Sequence, residues 1–334
     1  MPPCAAASTG VSLAHSNEAK PCMDFSQKPW NARVEEIPPE IFTPYGMIGP
    51  EERRCYYWLA RHGLSGAGCV IDAGSFLGAS TLCFAAGAAA GGHESFRGGP
   101  VVHAYDHFKA YDAYIAEAIR KHVRPIKKGE SYLDIFKTFT VKYRALIEAH
   151  PGNIFEQRWG GDPIELLFID VAKRARLNAH VSGEFFPHLM PGRSIVIHQD
   201  YFHCWHPYIH VGMEYLADSF ELIDELVLFQ SRVWRLVKPL PAEKVARLRD
   251  DDFSGEERIA LLDRLVERSS ARCRPMMEVV RAWQRCLDED YAAAKADLAR
   301  LRRDYGVEGR HELWAKQIPE IEQRCKDQFA ALGD

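Results

Sequence analysis

The sequence predicts an α/β fold: a doubly wound, mostly parallel sheet over residues 46–240, with an irregular N-terminal arm (1–45) and a helical C-terminal region (241–334). Three features predict it. Short, continuously apolar runs recur through the middle of the chain, as expected of strands buried on both faces. Segments of helical periodicity separate them, the alternation that builds a parallel sheet. After Pro241 the strand-like runs cease and helical patterning continues alone.

In chain order, the arm is rich in Pro, Ser and Ala, and Pro38-Pro39 and Pro44 mark it as irregular chain wrapping the main domain. Glu51 to His62 reads as a helix burying Cys55, Tyr56, Trp58 and Leu59. Cys69-Val70-Ile71 is the first strand, closed by Asp72 and a glycine turn, and Ala79 to Ala90 is the helix after it. Val101 to Tyr105 is the second strand, ending at Asp106. A weakly marked strand is expected near Ile154 to Gln157. Leu166 to Ile169 follows, ending at Asp170, with a helix from Leu177 to Leu189. Ile195-Val196-Ile197 is the next strand, ending near Gln199-Asp200, and Phe220–Leu228 with Val233–Val237 reads as a closing pair. In the tail, Ile259, Leu262, Leu265 and Val266 form one apolar stripe. A long helix is expected from Pro275 through Leu301, stopped by Gly306, and a last one from Leu313 to Leu332.

Apolar content of 47% and charged content of 26% are those of a globular chain. The net charge of -4 offers no global attraction to nucleic acid or to an acidic membrane. No apolar run is long enough to span a bilayer, and Met1 to Gly10 lacks the form of a secretory signal. The nine cysteines are scattered without a C-x-x-C pair, so reduced thiols and a cytoplasmic location are expected.

Ligands of a doubly wound sheet bind beyond the carboxyl ends of its strands. The first such turn is Asp72-Ala73-Gly74-Ser75-Phe76-Leu77-Gly78-Ala79-Ser80. Here Gly74 can adopt positive φ, Gly78 leaves backbone open to a ligand, and the helix that follows offers unpaired N–H groups to an anion. Ser80 adds a hydroxyl. Asp106 can accept both hydroxyls of a ribose, or else cap a helix. Asp170-Val171-Ala172-Lys173 and His198-Gln199-Asp200-Tyr201 close neighbouring strands. Asp170, Gln199 and Asp200 can therefore converge on a hard cation such as Mg²⁺, or Asp170 and Asp200 serve without metal as caps, sheet-end partners or substrate contacts. His198, His203, His206 and His210 crowd the loop that follows and do not match a zinc helix. Tyr111-Asp112-Ala113-Tyr114 is placed to cover a cofactor, and Trp159 and Trp205 either stack on a ligand or pack.

The turn acid-x-Gly-x-x-x-Gly-x-Ser resembles the first motif of class I methyltransferases, and it differs from the dinucleotide fingerprint G-x-G-x-x-G. Together with D-x-x-K and the Gln199-Asp200 pair, it resembles the metal-dependent O-methyltransferases of the catechol and caffeoyl-CoA type and the macrolide sugar O-methyltransferases. The resemblance covers roughly residues 47–240. It implies a Rossmann-like fold, S-adenosylmethionine bound by Asp72, Gly74, Gly78, Ser80 and Asp106, catalysis by Lys173 as base with Asp170, and an optional Mg²⁺ on Asp170, Gln199 and Asp200. Gln199 departs from the family's acid and removes one charge from that set. The expected activity is O-methylation of a small-molecule hydroxyl. A hydroxylase-like enzyme on the same scaffold and a non-catalytic interaction protein stay open as alternatives; a nicotinamide dehydrogenase is disfavoured by the glycine spacing. The arm, the histidine loop and the tail are assigned to the acceptor pocket or to a homodimer contact.

Overall fold

The computed structural model describes residue 25 and residues 27–226, 230–308 and 310–331. A short helix α1 (Pro29–Ala32) and two 3₁₀ turns carry the arm to α2 (Pro50–Gly63). Then follow β1 (Cys69–Ala73), α3 (Ala79–Ala90), β2 (Val102–Asp106), α4 (Ala113–His122), α5 (Leu133–Phe139), β3 (Ile147–Pro151), β4 (Ile164–Ile169), α6 (Ala175–Phe185) and β5 (Ile195–His198). The chain continues through α7 (Pro207–Tyr215), β6 (Phe220–Leu226), β7 (Ser231–Leu236), α8 (Ala242–Asp250), α9 (Gly255–Arg268), α10 (Arg274–Leu287), α11 (Tyr291–Tyr305) and α12 (Leu313–Ala331). Leu228 and Leu332, where two expected elements end, lie outside the described residues, as does most of the arm.

The strands form one sheet in the order β3-β2-β1-β4-β5-β7-β6. Strands β1 to β5 run parallel, and β7 pairs antiparallel with both β5 and β6. The chain steps outward from β1 to β3 and then returns to β4 on the other side of β1. Strand order therefore reverses between β1 and β4, and a crevice opens at their carboxyl ends. Strands β1 and β4 are buried at every residue, which is why Cys69–Ile71 and Leu166–Ile169 within them read as apolar runs.

The third strand lies at 147–151, and the expected segment forms a 3₁₀ turn at Ile154–Glu156 instead. Strand β3 is the sheet's edge; most of its residues are partly exposed, and Glu148, His150 and Pro151 remove the apolar signal. The expected long tail helix is two, α10 and α11. Asp290 breaks it by capping α11 with a hydrogen bond from the Ala293 N–H at 3.2 Å, after Glu289 turns at φ 63°.

Arg53, buried in α2, clasps the arm: its guanidinium donates to the carbonyls of Ile41 at 2.7 Å and Pro44 at 2.9 Å. Trp30 and Ile41 of the arm are fully buried beneath it. Alanine-rich α3 packs against α2 so closely that a Cβ on Gly87 would stand 2.3 Å from the Tyr57 carbonyl oxygen. The tail shares this core. Trp283 of α10 meets Trp205 edge-on at 4.8 Å, and Arg264 and Arg268 of α9 pair with the buried Glu214 at 2.8 and 3.1 Å.

The expectation of reduced thiols is corrected at one pair. Cys286 of α10 and Cys325 of α12 are joined by a disulfide, 39 residues apart in sequence, because the two helices pack side by side with those Cα atoms 6.2 Å apart. Cys55, Cys69, Cys83, Cys204 and Cys273 are free and buried.

Two outcomes follow from this packing. Denatured protein should titrate two fewer thiols before reduction than after it, and reduction should cost about 2–4 kcal/mol in urea unfolding. Gly87→Ala should destabilise the fold by about 1–3 kcal/mol in the same measurement, despite alanine's better helix propensity, because its methyl group meets backbone.

Candidate active site

A cleft of about 1390 Å³ lies across the carboxyl ends of β1 to β5. Gly74, Asp106, Asp170, Lys173, Gln199 and Asp200 all line it, so the strand-end residues singled out in the sequence share one cavity. Residues from chain segments far apart complete it. Gly46 to Gly49, just before α2, form one wall, Tyr111 and Tyr114 stand exposed at the mouth, and His203 and His206 follow β5.

The glycine turn works differently from the expectation. Gly74 has φ 110°, and a Cβ there would come within 2.9 Å of the Asp170 carbonyl carbon, so its missing side chain admits the end of β4. Gly78, at φ 91°, makes room for Thr140 and Phe136, at 2.8 and 3.1 Å from a Cβ built there, and does not line the cleft. Its expected contact with a ligand is therefore corrected to a packing role. Ala79 and Ser80, at the start of α3, do reach the cleft, and their backbone N–H groups have no partner within the helix.

Asp72 is wholly buried and does not reach the cleft. It accepts hydrogen bonds from the hydroxyls of Ser80, at 3.0 Å, and Thr81, and burial pushes its carboxyl up to about 7. Cofactor contact by Asp72 is thus corrected: with Ser80 it straps β1 to α3, and the Ser80 proton is committed to that strap.

Asp106 lines the cleft with most of its capacity taken. Its Oδ1 accepts from the Phe108 N–H at 2.7 Å and the Tyr132 hydroxyl at 2.6 Å, and its Oδ2 accepts from the Phe76 N–H at 3.0 Å. A carboxylate has about four acceptor positions, so one remains, on Oδ2. Simultaneous capture of two hydroxyls would have to displace a protein donor. The helix cap of α4 is Asp112, not Asp106.

At the ends of β4 and β5 the Lys173 ammonium sits between two carboxylates, 2.6 Å from Asp170 Oδ1 and in close contact with Asp200 Oδ2. Burial pushes the lysine down, but the two carboxylates outweigh it and hold it above its ordinary value. Lys173 is therefore a fixed cation, which corrects its expected role as base. Burial and the neighbouring Asp200 push Asp170 up to about 6 against the pull of Lys173. The same ammonium occupies the point between the carboxylates where Mg²⁺ would have to sit. Asp170, Gln199 and Asp200 consequently do not fit a resident Mg²⁺ as they stand: two carboxylates neutralised by one lysine leave a single net charge and one amide to attract it.

Backbone strain gathers here. Of the non-glycine residues with positive φ, Phe76 (45°), Asp200 (63°) and Gln230 (75°) line the cleft, and Phe108 (49°) donates to Asp106. Trp159 and Trp205 do not line it; both pack within the protein.

Glu52 is a site residue that sequence reasoning did not find. This glutamate of α2 reaches the cleft, accepts from the Gly49 N–H at 2.7 Å and from the Ser231 hydroxyl of β7, and is pushed up to about 8 by burial. Nothing local marks such a residue, because its partner lies 179 positions away. Tyr132 was missed for the same reason.

The two cleft histidines have their ring protons assigned by their partners. The Tyr208 hydroxyl donates to the Ala172 carbonyl at 3.0 Å, so His206 Nδ1–H must donate to the Tyr208 oxygen at 2.7 Å, leaving Nε2 as an acceptor. The Gln317 amide nitrogen can only donate, at 3.2 Å, to His203 Nδ1, which leaves His203 Nε2 as a donor. Burial pushes His206 down to about 4 and lowers His203 as well, so both rings are neutral at pH 7.

Residues 71–201 match the family model described as a methyltransferase domain. The chain is similar to the solved structure of the O-methyltransferase NovP, with 15% identity over 56% of this chain and 78% of that one and a TM-score of 0.41. It is also similar to an O-methyltransferase from Bacillus cereus in complex with SAH, with 14% identity, coverage of 67% and 94%, and a TM-score of 0.35. No curated protein sequence matches it. The matched segment runs from the middle of β1 to the loop after β5 and so spans the strand ends that border the cleft.

Proposed function

We propose that the protein transfers a methyl group from S-adenosylmethionine to a hydroxyl of a small molecule, with a fixed lysine where related enzymes place a metal ion. The observation that carries this reading is that Gly74, the first-turn amides of α3 and Asp106 share one wall of an open cleft within a methyltransferase domain. In this reading the amides at Ala79 and Ser80 hold the cofactor's carboxylate. The open position of Asp106 accepts one ribose hydroxyl, and Tyr111 and Tyr114 cover the mouth. The cofactor supplies an electrophilic methyl on a sulfonium, and the protein's task is to align the acceptor oxygen with it.

The acceptor hydroxyl is held between two histidines whose ring centroids are 5.7 Å apart. Its proton goes to His206 Nε2, and its oxygen accepts from His203 Nε2–H. As the proton leaves, charge develops on the oxygen, and the Lys173 ammonium, kept protonated by Asp170 and Asp200, stabilises that charge. Asp200 in turn favours the imidazolium forming on His206. The division of labour follows from protonation states: the lysine is too firmly charged to accept a proton, and the histidine is neutral and can.

Isothermal titration should show one S-adenosylhomocysteine bound per chain, and Asp106→Ala should weaken it about 10- to 100-fold, the loss of one charge-assisted hydrogen bond. Absence of binding to the intact protein would remove the cofactor assignment. With an acceptor in hand, His206→Ala should lower kcat about 10²- to 10⁴-fold while leaving S-adenosylhomocysteine affinity unchanged. Because burial pulls His206 down to about 4, the acid limb of the kcat/KM profile should lie well below the 6.5 of an ordinary histidine. Turnover in Mg²⁺-free buffer should equal that in millimolar Mg²⁺, and the product should gain the mass of CH₂ rather than of oxygen.

A further inference from the structure

We propose that His103, Glu148 and His150 form a second, separate site that binds one divalent transition-metal ion of the zinc type. The site lies at the outer edge of the sheet, on β2 and β3. Register pairs His103 with Glu148 and Tyr105 with His150. Side chains alternate along a strand, so His103 and Tyr105 share a face of β2, and Glu148 and His150 share the matching face of β3.

Three donor atoms converge there. His103 Nδ1 lies 3.0 Å from His150 Nε2 and 3.4 Å from Glu148 Oε2, and the latter two are 4.0 Å apart. The point equidistant from all three stands about 2 Å from each, the length of a zinc–nitrogen or zinc–oxygen bond. Among the described residues this is the only group of three His, Cys, Asp or Glu side chains so disposed. Two imidazoles and one carboxylate suit Zn²⁺ and its neighbours, while Mg²⁺ and Ca²⁺ prefer oxygen alone.

The competing arrangement is a histidine–histidine hydrogen bond. In neutral rings the proton between the two nitrogens satisfies only that contact, and the carboxylate beside them gains nothing. A cation satisfies all three donors together. Both rings are held in place before any ion arrives. Tyr105 stacks on His150 at 4.4 Å and 10°, and Trp159 meets His103 edge-on at 5.0 Å, with its own Nε1–H anchored to the Asp162 carbonyl at 2.7 Å. The Gln157 amide donates to the His150 carbonyl at 3.2 Å. Glu148 is half exposed, which leaves a fourth position open to water.

None of the three side chains lines the methyl-transfer cleft. The ion would rivet the edge strand to its neighbour, just before Gly152, whose N–H donates to the Asp106 carbonyl at 2.9 Å. Its effect is bracing of the Asp106 rim from outside, with no part in the chemistry.

The test uses the full-length protein stripped with chelator and titrated with Co²⁺, whose ligand-field absorption reports nitrogen and oxygen ligands. One equivalent should bind, Zn²⁺ should displace it, and Zn²⁺ should raise the thermal midpoint. His103→Ala and His150→Ala should each remove that equivalent, and Glu148→Gln should weaken it at least about tenfold. Glu148 is exposed, so its variant reports even if a histidine variant fails to fold; circular dichroism checks each. Absence of saturable binding to the wild-type protein at micromolar ion would overturn the site. So would titration curves unchanged in the Glu148 and His150 variants, or an intense thiolate band pointing to cysteine ligands. S-adenosylhomocysteine binding is measured separately and bears only on the cleft.

Discussion

The pairing of β1 with β4 sets everything else at the strand ends. Ala73 lies against Ile169 in register, and the two backbones continue so close together that no side chain fits at Gly74. That contact delivers Asp170 to the crevice where strand order reverses. Because β5 follows in register with β4, Ile169 against His198, Asp200 arrives beside it. Lys173, three residues along from Asp170, then bridges the two carboxylates. A shift of this register by one residue would turn Asp170 to the opposite face and dismantle the bridge.

Four acids lie at strand ends in this protein, and each is already hydrogen-bonded or ion-paired within the chain. Asp72 has two hydroxyl donors and a raised carboxyl, Asp106 has three donors, and Asp170 and Asp200 share a lysine. Burying a charge without such partners costs several kcal/mol. Strand ends that gather four carboxylates therefore have to spend most of their acceptor capacity on the protein itself. What stays available for a ligand is small and directional: backbone N–H groups at α3, one position on Asp106, and the two neutral histidines.

Segments outside the matched domain finish the cleft. The segment between the arm and α2 reaches it through Gly46 to Gly49, next to the Arg53 clasp, and Gly46 lies so near Ala79 that a Cβ would stand 2.5 Å away. The tail acts on its lining from behind through α12, where Gln317 orients His203 and Arg324 lies over Trp205 at 4.3 Å. The disulfide between α10 and α12 ties that orienting helix to the core.

The sequence by itself determined the strands buried on both faces and the acids that end them, because double burial demands unbroken apolar runs and a parallel sheet presents its ligand side at the carboxyl ends. It did not locate β3, because an exposed edge strand needs no such run and carries Glu148, His150 and Pro151. It also could not assign partners. Asp106 with Tyr132, Asp170 with Lys173 and Asp200, Cys286 with Cys325 and Glu52 with Ser231 depend on sheet register and helix packing. Periodicity records which face of an element is buried and leaves open what lies against it, so whether each acid holds a ligand or another part of the chain was decided only by the tertiary structure.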